Sequence, residues 1–100
     1  MPHAPDLQSA IQAALADAAR VSGVDAGQLK LVSAERVTWS DGGLGCAQPG
    51  RLYTQALVPG YRIRIEARGE VLDYHAGLRG APVLCPPGRS SNPVIDDGRT

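Results

Sequence analysis

Residues 61–76 read YRIRIEARGEVLDYHA, and the alternation in this stretch decides the fold class. Apolar and charged side chains alternate from Tyr61 to Arg68, which is typical of a β-strand with one buried face. Gly69-Glu70 fits a two-residue type II′ turn, and Arg68-Gly69 is the alternative turn. Because a second alternating run follows, the segment predicts an antiparallel hairpin whose register depends on the turn.

The two faces of this hairpin are predicted whichever turn forms. Leu72 and Tyr74 join the apolar face of the first strand, whereas Asp73 and His75 fall on its charged face. The alternative turn would set Arg64 directly opposite Asp73. The pattern therefore indicates one face packed on a core and one face in water, where His75 is solvated or ion-paired.

Residues 5–24, PDLQSAIQAALADAARVSGV, predict an amphipathic helix. Asp6 suits the start of this helix, and Gly23 suits its end. The apolar stripe consists of Leu7, Ile11, Leu15 and Ala18, broadened by Ala14 and Val21. The residues expected to face water are Gln8, Gln12, Asp17 and Arg20. With no basic face and mostly small apolar residues, the helix is expected to pack on a core rather than lie on a membrane.

Three shorter segments complete the predicted sheet. Residues 29–39 indicate one strand, interrupted or bulged near Ala34 and Glu35, which follows a short helical turn capped by Asp25. TQALV, residues 54–58, is a strand candidate that Pro59-Gly60 should end, and PVLC, residues 82–85, is the last strand.

The order of these elements predicts an α+β fold. One N-terminal amphipathic helix packs on an antiparallel sheet of four to five strands, and residues 1–85 form a single domain. From Pro86 onward the chain holds turn formers without periodicity, so residues 86–100 are expected to form a disordered tail.

Composition limits the partners of this chain. Its 100 residues carry 10 Lys and Arg against 10 Asp and Glu, with no run of like charge, which argues against nucleic-acid binding. Apolar runs are too short to span a bilayer, so no membrane partner is expected. The first ten residues do not resemble a leader, so a cytoplasmic location is expected. We expect a monomer or a weak dimer, because a strand edge could be exposed.

The two cysteines, Cys46 and Cys85, allow three interpretations: packed thiols, a disulfide between them, or a reactive thiol at Cys46 with His75 as its base. Zinc is disfavoured, because neither these cysteines nor the histidines His3 and His75 have the short spacing of structural zinc sites. No cofactor and no metal are therefore expected.

The segment WSDGGLGCAQPGRLYTQ, residues 39–55, places bulky and reactive groups among glycines and prolines. Trp39 either closes the core edge, with its indole N–H on a loop carbonyl, or is a recognition aromatic. Asp41 is expected to cap its own turn. The run GGLG lacks the flanking residues of a phosphate-binding loop. The candidate binding residues, with His75 from the hairpin, are Trp39, Asp41, Cys46, Tyr53, Gln55 and His75.

The chain from Val37 to Cys85 reads V-T-W-S-D-G-x-L-G-C-x-x-P-G-x-x-Y-T-Q-x-L-V-P-G-Y-R-I-x-x-E, followed by D-Y-H and a terminal L-C. This pattern resembles a family of small bacterial domains of unknown function, in which the same blocks follow a helix and a GVD turn. The resemblance implies that Trp39 to Cys85 forms one unit. It implies no reaction, ligand or partner.

Three functions are consistent with these residues. The leading hypothesis is a non-enzymatic binding or interaction module that presents residues 39–55 from a rigid sheet to an unknown protein or small ligand. A thiol-dependent enzyme or redox sensor that uses Cys46 with His75 is the alternative. A protease-inhibitor-like module, whose loop mimics an extended substrate, is the third.

Overall fold

The computed structural model describes residues 6–96 and confirms the α+β fold. One helix packs on an antiparallel sheet whose strand order is β4-β3-β2-β1-β5. The helix is α1 (Leu7–Ser22), the strands are β1 (Lys30–Trp39), β2 (Val58–Ala67), β3 (Glu70–Gly77), β4 (Val83–Cys85) and β5 (Ile95–Asp96), and short 3-10 turns lie at Ala26–Gln28 and Pro87–Arg89. Within residues 6–96, no helix has the length and hydropathy needed to cross a membrane.

The β2–β3 hairpin adopts the alternative of the two predicted turns. Ala67 pairs with Glu70, so Arg68 and Gly69 form the turn, and Arg64 stands opposite Asp73. Both turn residues have positive φ, 54° at Arg68 and 81° at Gly69. This is the type I′ arrangement, whose twist matches the twist of the two strands.

Helix α1 begins and ends where the sequence predicts. The Asp6 carboxylate accepts a hydrogen bond from the Ser9 N–H at 2.8 Å, and Gly23 ends the helix in the left-handed conformation. The buried face is narrower than the predicted stripe, since Val21 is 44% exposed. Its centre consists of three alanines, Ala10, Ala14 and Ala18. Because their side chains are single methyl groups, the helix axis can lie close to the sheet.

The predicted water-facing position of Asp17 is wrong. Asp17 is half-buried, and its carboxylate accepts a hydrogen bond from the Tyr74 hydroxyl at 2.7 Å, which joins α1 to β3. This bond, with a smaller contribution from Arg20, holds the pKa of Asp17 below its ordinary value. Burial, followed by the bond to Asp17, raises the pKa of Tyr74.

Strands β1 and β2 differ from their predicted forms at two places. The register shift in β1 lies between Leu31 and Ser33 rather than near Ala34 and Glu35. Strand β2 begins at Val58 and continues through Pro59-Gly60, so the separate strand at 54–58 is not formed. Gly60 is tolerated inside β2 because the chain there touches β3: an added Cβ would lie 1.9 Å from the carbonyl oxygen of Ala76.

The charged face of the hairpin is covered around His75, which corrects the prediction that this residue faces water, whereas the predicted pairing of His75 with a charged group is found, since its Nε2 lies 3.0 Å from Asp73. The His75 side chain is fully buried, with 0% exposed, because other parts of the chain lie over this side of the sheet. The cover consists of the inner part of the loop that spans residues 40–57, and of the segment from residue 86 to residue 94. The segment is held at β1, where the Val94 N–H bonds the Thr38 carbonyl and β5 pairs with Val37 and Thr38.

That cover includes part of the tail predicted from residue 86 onward. In the structure, residues 87–89 form a 3-10 turn and residues 95–96 form β5. The last four residues of the predicted tail, together with His3 and Pro5, lie outside the described residues.

Candidate functional site

Trp39 lies at the centre of the covered face, at the end of β1. It is fully buried, its indole N–H donates to the Ala76 carbonyl at 3.0 Å, and its ring stacks on His75 with centroids 4.4 Å apart. The prediction of a core-edge Trp with a satisfied N–H is confirmed. The acceptor lies on β3 rather than in the loop.

His75 hydrogen-bonds through both ring nitrogens. Its Nδ1 lies 2.7 Å from the Leu44 carbonyl oxygen, and its Nε2 lies 3.0 Å from Oδ2 of Asp73. Because a carbonyl oxygen only accepts, Nδ1 is the donor toward Leu44. The ring therefore joins the loop to the sheet.

Asp73 is the centre of a charged cluster under the loop. Arg62 donates to both of its carboxylate oxygens, at 3.1 and 3.0 Å, and the Ser90 hydroxyl donates to Oδ2 at 2.6 Å. Burial of this carboxyl raises its pKa, but the hydrogen bonds from His75, Arg62 and Ser90 together outweigh burial and hold the pKa well below its usual range. Arg62 extends the cluster to Asn92, whose side-chain oxygen accepts at 3.0 Å.

The nearness of Ser90, His75 and Asp73 does not make a catalytic triad. In such a triad the base takes the serine proton at one ring nitrogen and is oriented by a carboxylate at the other. Here the carboxylate occupies the Nε2 side, and Ser90 donates its own proton to that carboxylate. The cluster instead fastens the loop and the segment 86–94 to the sheet.

Cys46 and Cys85 form a disulfide, with their Cα atoms 5.7 Å apart. Of the three interpretations of these cysteines, the structure shows the second. The bridge joins the middle of the loop to β4. Both sulfurs are shielded, since Cys46 is 9% and Cys85 2% exposed.

The inner part of the loop follows a path fixed by short hydrogen bonds. As predicted, the Asp41 carboxylate caps its own turn, accepting from the Gly43 N–H at 2.8 Å. The Gly42 N–H donates to the Thr54 carbonyl at 2.9 Å, which draws the two arms of the loop together. Gly45 lies against the Trp39 ring, and its carbonyl accepts from the Ser91 N–H at 2.8 Å.

The outer part of the loop, residues 48–57, projects into solvent, and we call it the recognition loop. Leu52 is 99% exposed and Leu57 61% exposed. Tyr53 is half-buried, and its hydroxyl accepts from the Gln48 N–H at 3.0 Å. Gln55 is exposed, and its amide donates to the Tyr53 carbonyl at 3.4 Å.

The predicted binding residues are divided between a cavity, the protein interior and the surface. Cys46, Tyr53 and His75 line a common cavity of about 200 Å³ beneath the recognition loop. Trp39 is buried behind His75, and Asp41 lines a separate cavity of about 360 Å³ that includes Arg89. Within residues 6–96, no three His, Cys, Asp or Glu side chains come together as a metal site.

Among the residues of this site that the sequence did not reveal are Arg62, Asp73 and Leu52. Arg62 and Asp73 alternate with apolar residues, so the signal for an internal ion pair was present in the pattern but was interpreted as a solvated face. Leu52 carries no such signal, because a single apolar residue in a loop is common. Its exposure follows only from the path of the loop.

Comparison with known proteins identifies a family whose function is unknown. No curated protein and no solved structure matches this chain. A family described as Domain of unknown function (DUF8738) matches residues 11–85, which include α1 from Ile11 onward, strands β1 to β4 and both cysteines. Since the match covers most of the sequence, the chain belongs to this family, Domain of unknown function (DUF8738).

Proposed function

We propose that this domain is a non-enzymatic binding module and that the recognition loop is its binding surface. The observation that carries the proposal is the 99% exposure of Leu52 on a loop whose base is tied to the sheet by the Cys46–Cys85 disulfide. Binding residues are often placed on loops that a rigid scaffold holds. A fixed loop also loses less conformational entropy when it binds.

The buried residues beneath the loop act as its support in this proposal. Trp39 and His75 are fully buried, so the contacts we assign are the exposed residues Arg51, Leu52, Gln55 and Leu57. Tyr53 and the cavity beside it extend this surface inward. The partner we propose is a protein, because one exposed leucine beside a cavity of about 200 Å³ offers little enclosure to a small molecule.

The thiol-enzyme alternative is not favoured by the same geometry. The sulfur of Cys46 is bonded to Cys85, so it offers no thiolate, and both ring nitrogens of His75 are hydrogen-bonded to other groups.

The disulfide also bears on the location of the protein. Because the cytosol keeps thiols reduced, the bridge supports an oxidising compartment rather than the cytoplasm expected from the sequence.

A monomer is the oligomeric state we propose. Among residues 6–96, β5 pairs with the outer edge of β1 at Val37 and Thr38. This edge carries a register shift beside Leu31 and a lysine at position 30, both features by which natural proteins discourage edge-to-edge pairing.

Selective capture tests the proposed binding surface. Immobilised wild-type domain and the variants Leu52→Asp and Leu57→Asp are incubated with the same cell extract, and the retained proteins are quantified by mass spectrometry. We expect a retained protein to be lost with the two loop variants. It should be kept by Val71→Asp, which charges an apolar residue on β3 that is also exposed, at 51%. If loop variants that are folded by circular dichroism retain the same proteins as the wild type, the recognition loop is not the surface.

A further inference from the structure

We propose that the partner is a serine endopeptidase with an apolar primary specificity pocket. The recognition loop would enter the active site of this enzyme as a substrate does, and Leu52 would occupy the primary specificity pocket. This inference rests on the proposed function, since it assigns a class of partner to the same surface. Four features of the loop carry it: its backbone, its side chain, its fastening and its place between the two cysteines.

The backbone around Leu52 is free to pair with an enzyme. Residues 51–55 belong to neither a helix nor a strand. The turn before them closes through the Arg51 N–H and the Gln48 carbonyl, at 3.2 Å. Within residues 6–96, neither the N–H nor the carbonyl of Leu52 makes a hydrogen bond. Proteins that bind extended peptides use such unpaired backbone groups for affinity and side-chain pockets for specificity.

The side chain of Leu52 has the character of a primary specificity residue. At 99% exposure it contacts almost nothing in its own molecule, so a partner can bury it without disturbing this fold. Its apolar surface fits a hydrophobic slot of the chymotrypsin kind and not a pocket with an acid at its base. Arg51 precedes it and is also exposed, which makes the choice between the two pockets testable.

The loop is fastened on both sides of Leu52. Before it, Cys46 is bonded to Cys85 of β4. After it, the Tyr53 hydroxyl and the Thr54 carbonyl accept hydrogen bonds from the backbone N–H groups of Gln48 and Gly42. A loop held in one shape binds with a smaller entropic cost than a free peptide, which favours tight binding over rapid turnover.

The disulfide also determines what happens if the enzyme cuts the loop. Hydrolysis of the Leu52–Tyr53 bond adds one water, which leaves a carboxylate on Leu52 and an amine on Tyr53. The two fragments stay covalently joined, because this bond lies between Cys46 and Cys85. They also stay paired, since β1 and β2 are neighbours in the sheet. The new ends therefore remain adjacent and can rejoin, with loss of the same water, whereas the ends of a cut linear peptide diffuse apart.

Inhibition kinetics test the inference. Purified chymotrypsin-type, subtilisin-type and trypsin-type enzymes are assayed with chromogenic peptides in the presence of the domain. We expect competitive inhibition of one or both of the first two. The inhibition constant should rise about a hundred-fold or more with Leu52→Asp, as for a central interface residue, and should be unchanged with Val71→Asp. Leu52→Arg should transfer inhibition to the trypsin-type enzyme.

A second arm uses the disulfide. In the variant Cys46→Ser/Cys85→Ser, we expect the same enzyme to cut the loop after Leu52 and to be inhibited no longer. Cut wild-type domain should migrate as one species without reductant and as two fragments with it. Because Leu52 is exposed, we expect its substitutions to leave the fold intact. The Leu52 variants therefore test the inference even if the cysteine variant fails to fold.

The inference would be overturned if the domain at micromolar concentration inhibited none of the three enzymes, or if Leu52→Asp left the inhibition intact. Inhibition of the trypsin-type enzyme alone by the wild type would also overturn it, because that result assigns the pocket to Arg51. If inhibition is absent while Leu52→Asp still abolishes capture of a protein from extract, the proposed binding function stands and only the partner class fails.

Discussion

Gly45 is the glycine of the loop with the least room for a side chain. Its φ is 69°, and an added Cβ would lie 2.6 Å from a ring carbon of Trp39 and 2.8 Å from the Ser91 carbonyl oxygen. Trp39 cannot move aside, because it is stacked on His75. We expect Gly45→Ala to lower the free energy of unfolding by about 3 kcal/mol, the sum of overpacking and left-handed strain. Urea unfolding followed by the fluorescence of Trp39, the sole tryptophan, measures this loss.

Gly50 provides the matched control for that substitution. Its φ is 80°, but an added Cβ would meet nothing within 4 Å. Gly50→Ala should therefore cost about 1 kcal/mol, from backbone strain alone. Equal losses at the two positions would show that the contact between Gly45 and Trp39 contributes little.

Single residues were predictable where the chemistry is local. Asp41 caps its own turn as expected, because a carboxylate before two glycines has backbone N–H groups within reach. The satisfied indole of Trp39 was predicted on similar grounds. The burial of His75 was not, because it depends on a loop that returns over the sheet from a distant part of the sequence. The same limit applies to Asp73, whose partners Arg62 and Ser90 lie 11 and 17 residues away.

At the scale of elements, α1 shows how a helix can be placed correctly and its buried face misjudged. The largest apolar side chains, such as Leu7 and Ile11, flank the contact, and Ala14 at 0% exposure lies in its centre. We expect Ala14→Leu to push the helix away from the sheet and to lower the free energy of unfolding by about 2 kcal/mol. Chemical denaturation monitored by circular dichroism measures the change.

Ala13 is the neighbouring control, since it lies exposed on the same helix. Ala13→Leu keeps the helix propensity of the first substitution and should change stability by no more than about 0.5 kcal/mol. A similar loss at both positions would mean that the helix tolerates leucine equally on its two faces, contrary to the packing described.

Elements were predictable in proportion to their periodicity. The hairpin of β2 and β3 and the helix α1 have long repeating patterns, and both were located from the sequence. The 54–58 segment has only five residues and is followed by Pro59-Gly60, a pair that commonly marks a turn. It was misassigned because the close approach of Gly60 to Ala76, which explains the glycine, is a tertiary contact.

At the scale of the whole molecule, the sheet is covered on both sides. Helix α1 covers one face, and the loop with the segment 86–94 covers the other. The second layer has no periodic pattern, so the sequence could not reveal it, and the disulfide that fixes it was one of three interpretations. The stability of this second layer depends on a few strong contacts, among them the Cys46–Cys85 bridge and the cluster around Asp73.

Removing the bridge tests the contribution of the first contact. Its cysteines are 39 residues apart, and closing a loop of this length stabilises the folded state by about 4 kcal/mol through the unfolded chain. We expect Cys46→Ala/Cys85→Ala to lose about this amount in urea unfolding. Reductant should destabilise the wild type similarly and leave the variant unchanged. A variant as stable as the oxidised wild type would show that the bridge contributes little to the fold.

The acid dependence of stability tests the second contact. The pKa of Asp73 is depressed in the folded protein, so its carboxylate stabilises the fold at any pH above its unfolded value, about 4. This contribution is lost as pH falls from there toward the folded pKa. Asp73→Asn leaves Arg62 and His75 without their anion. Because the Asp73 side chain is only 16% exposed, we expect a loss of about 3 kcal/mol in urea unfolding near neutral pH.

The difference between wild type and Asp73→Asn should shrink as the pH is lowered below about 4, where the Asp73 carboxylate of the wild type begins to lose its contribution. The pKa of Asp17 is also depressed, through its bond from Tyr74, but Asp17 is present in both proteins and its effect cancels in the difference. A difference that keeps its full size on acidification would mean that the carboxylate is not what joins the loop and the segment 86–94 to the sheet. A shrinking difference would show that this layer depends on one buried charge, as the geometry around Asp73 requires.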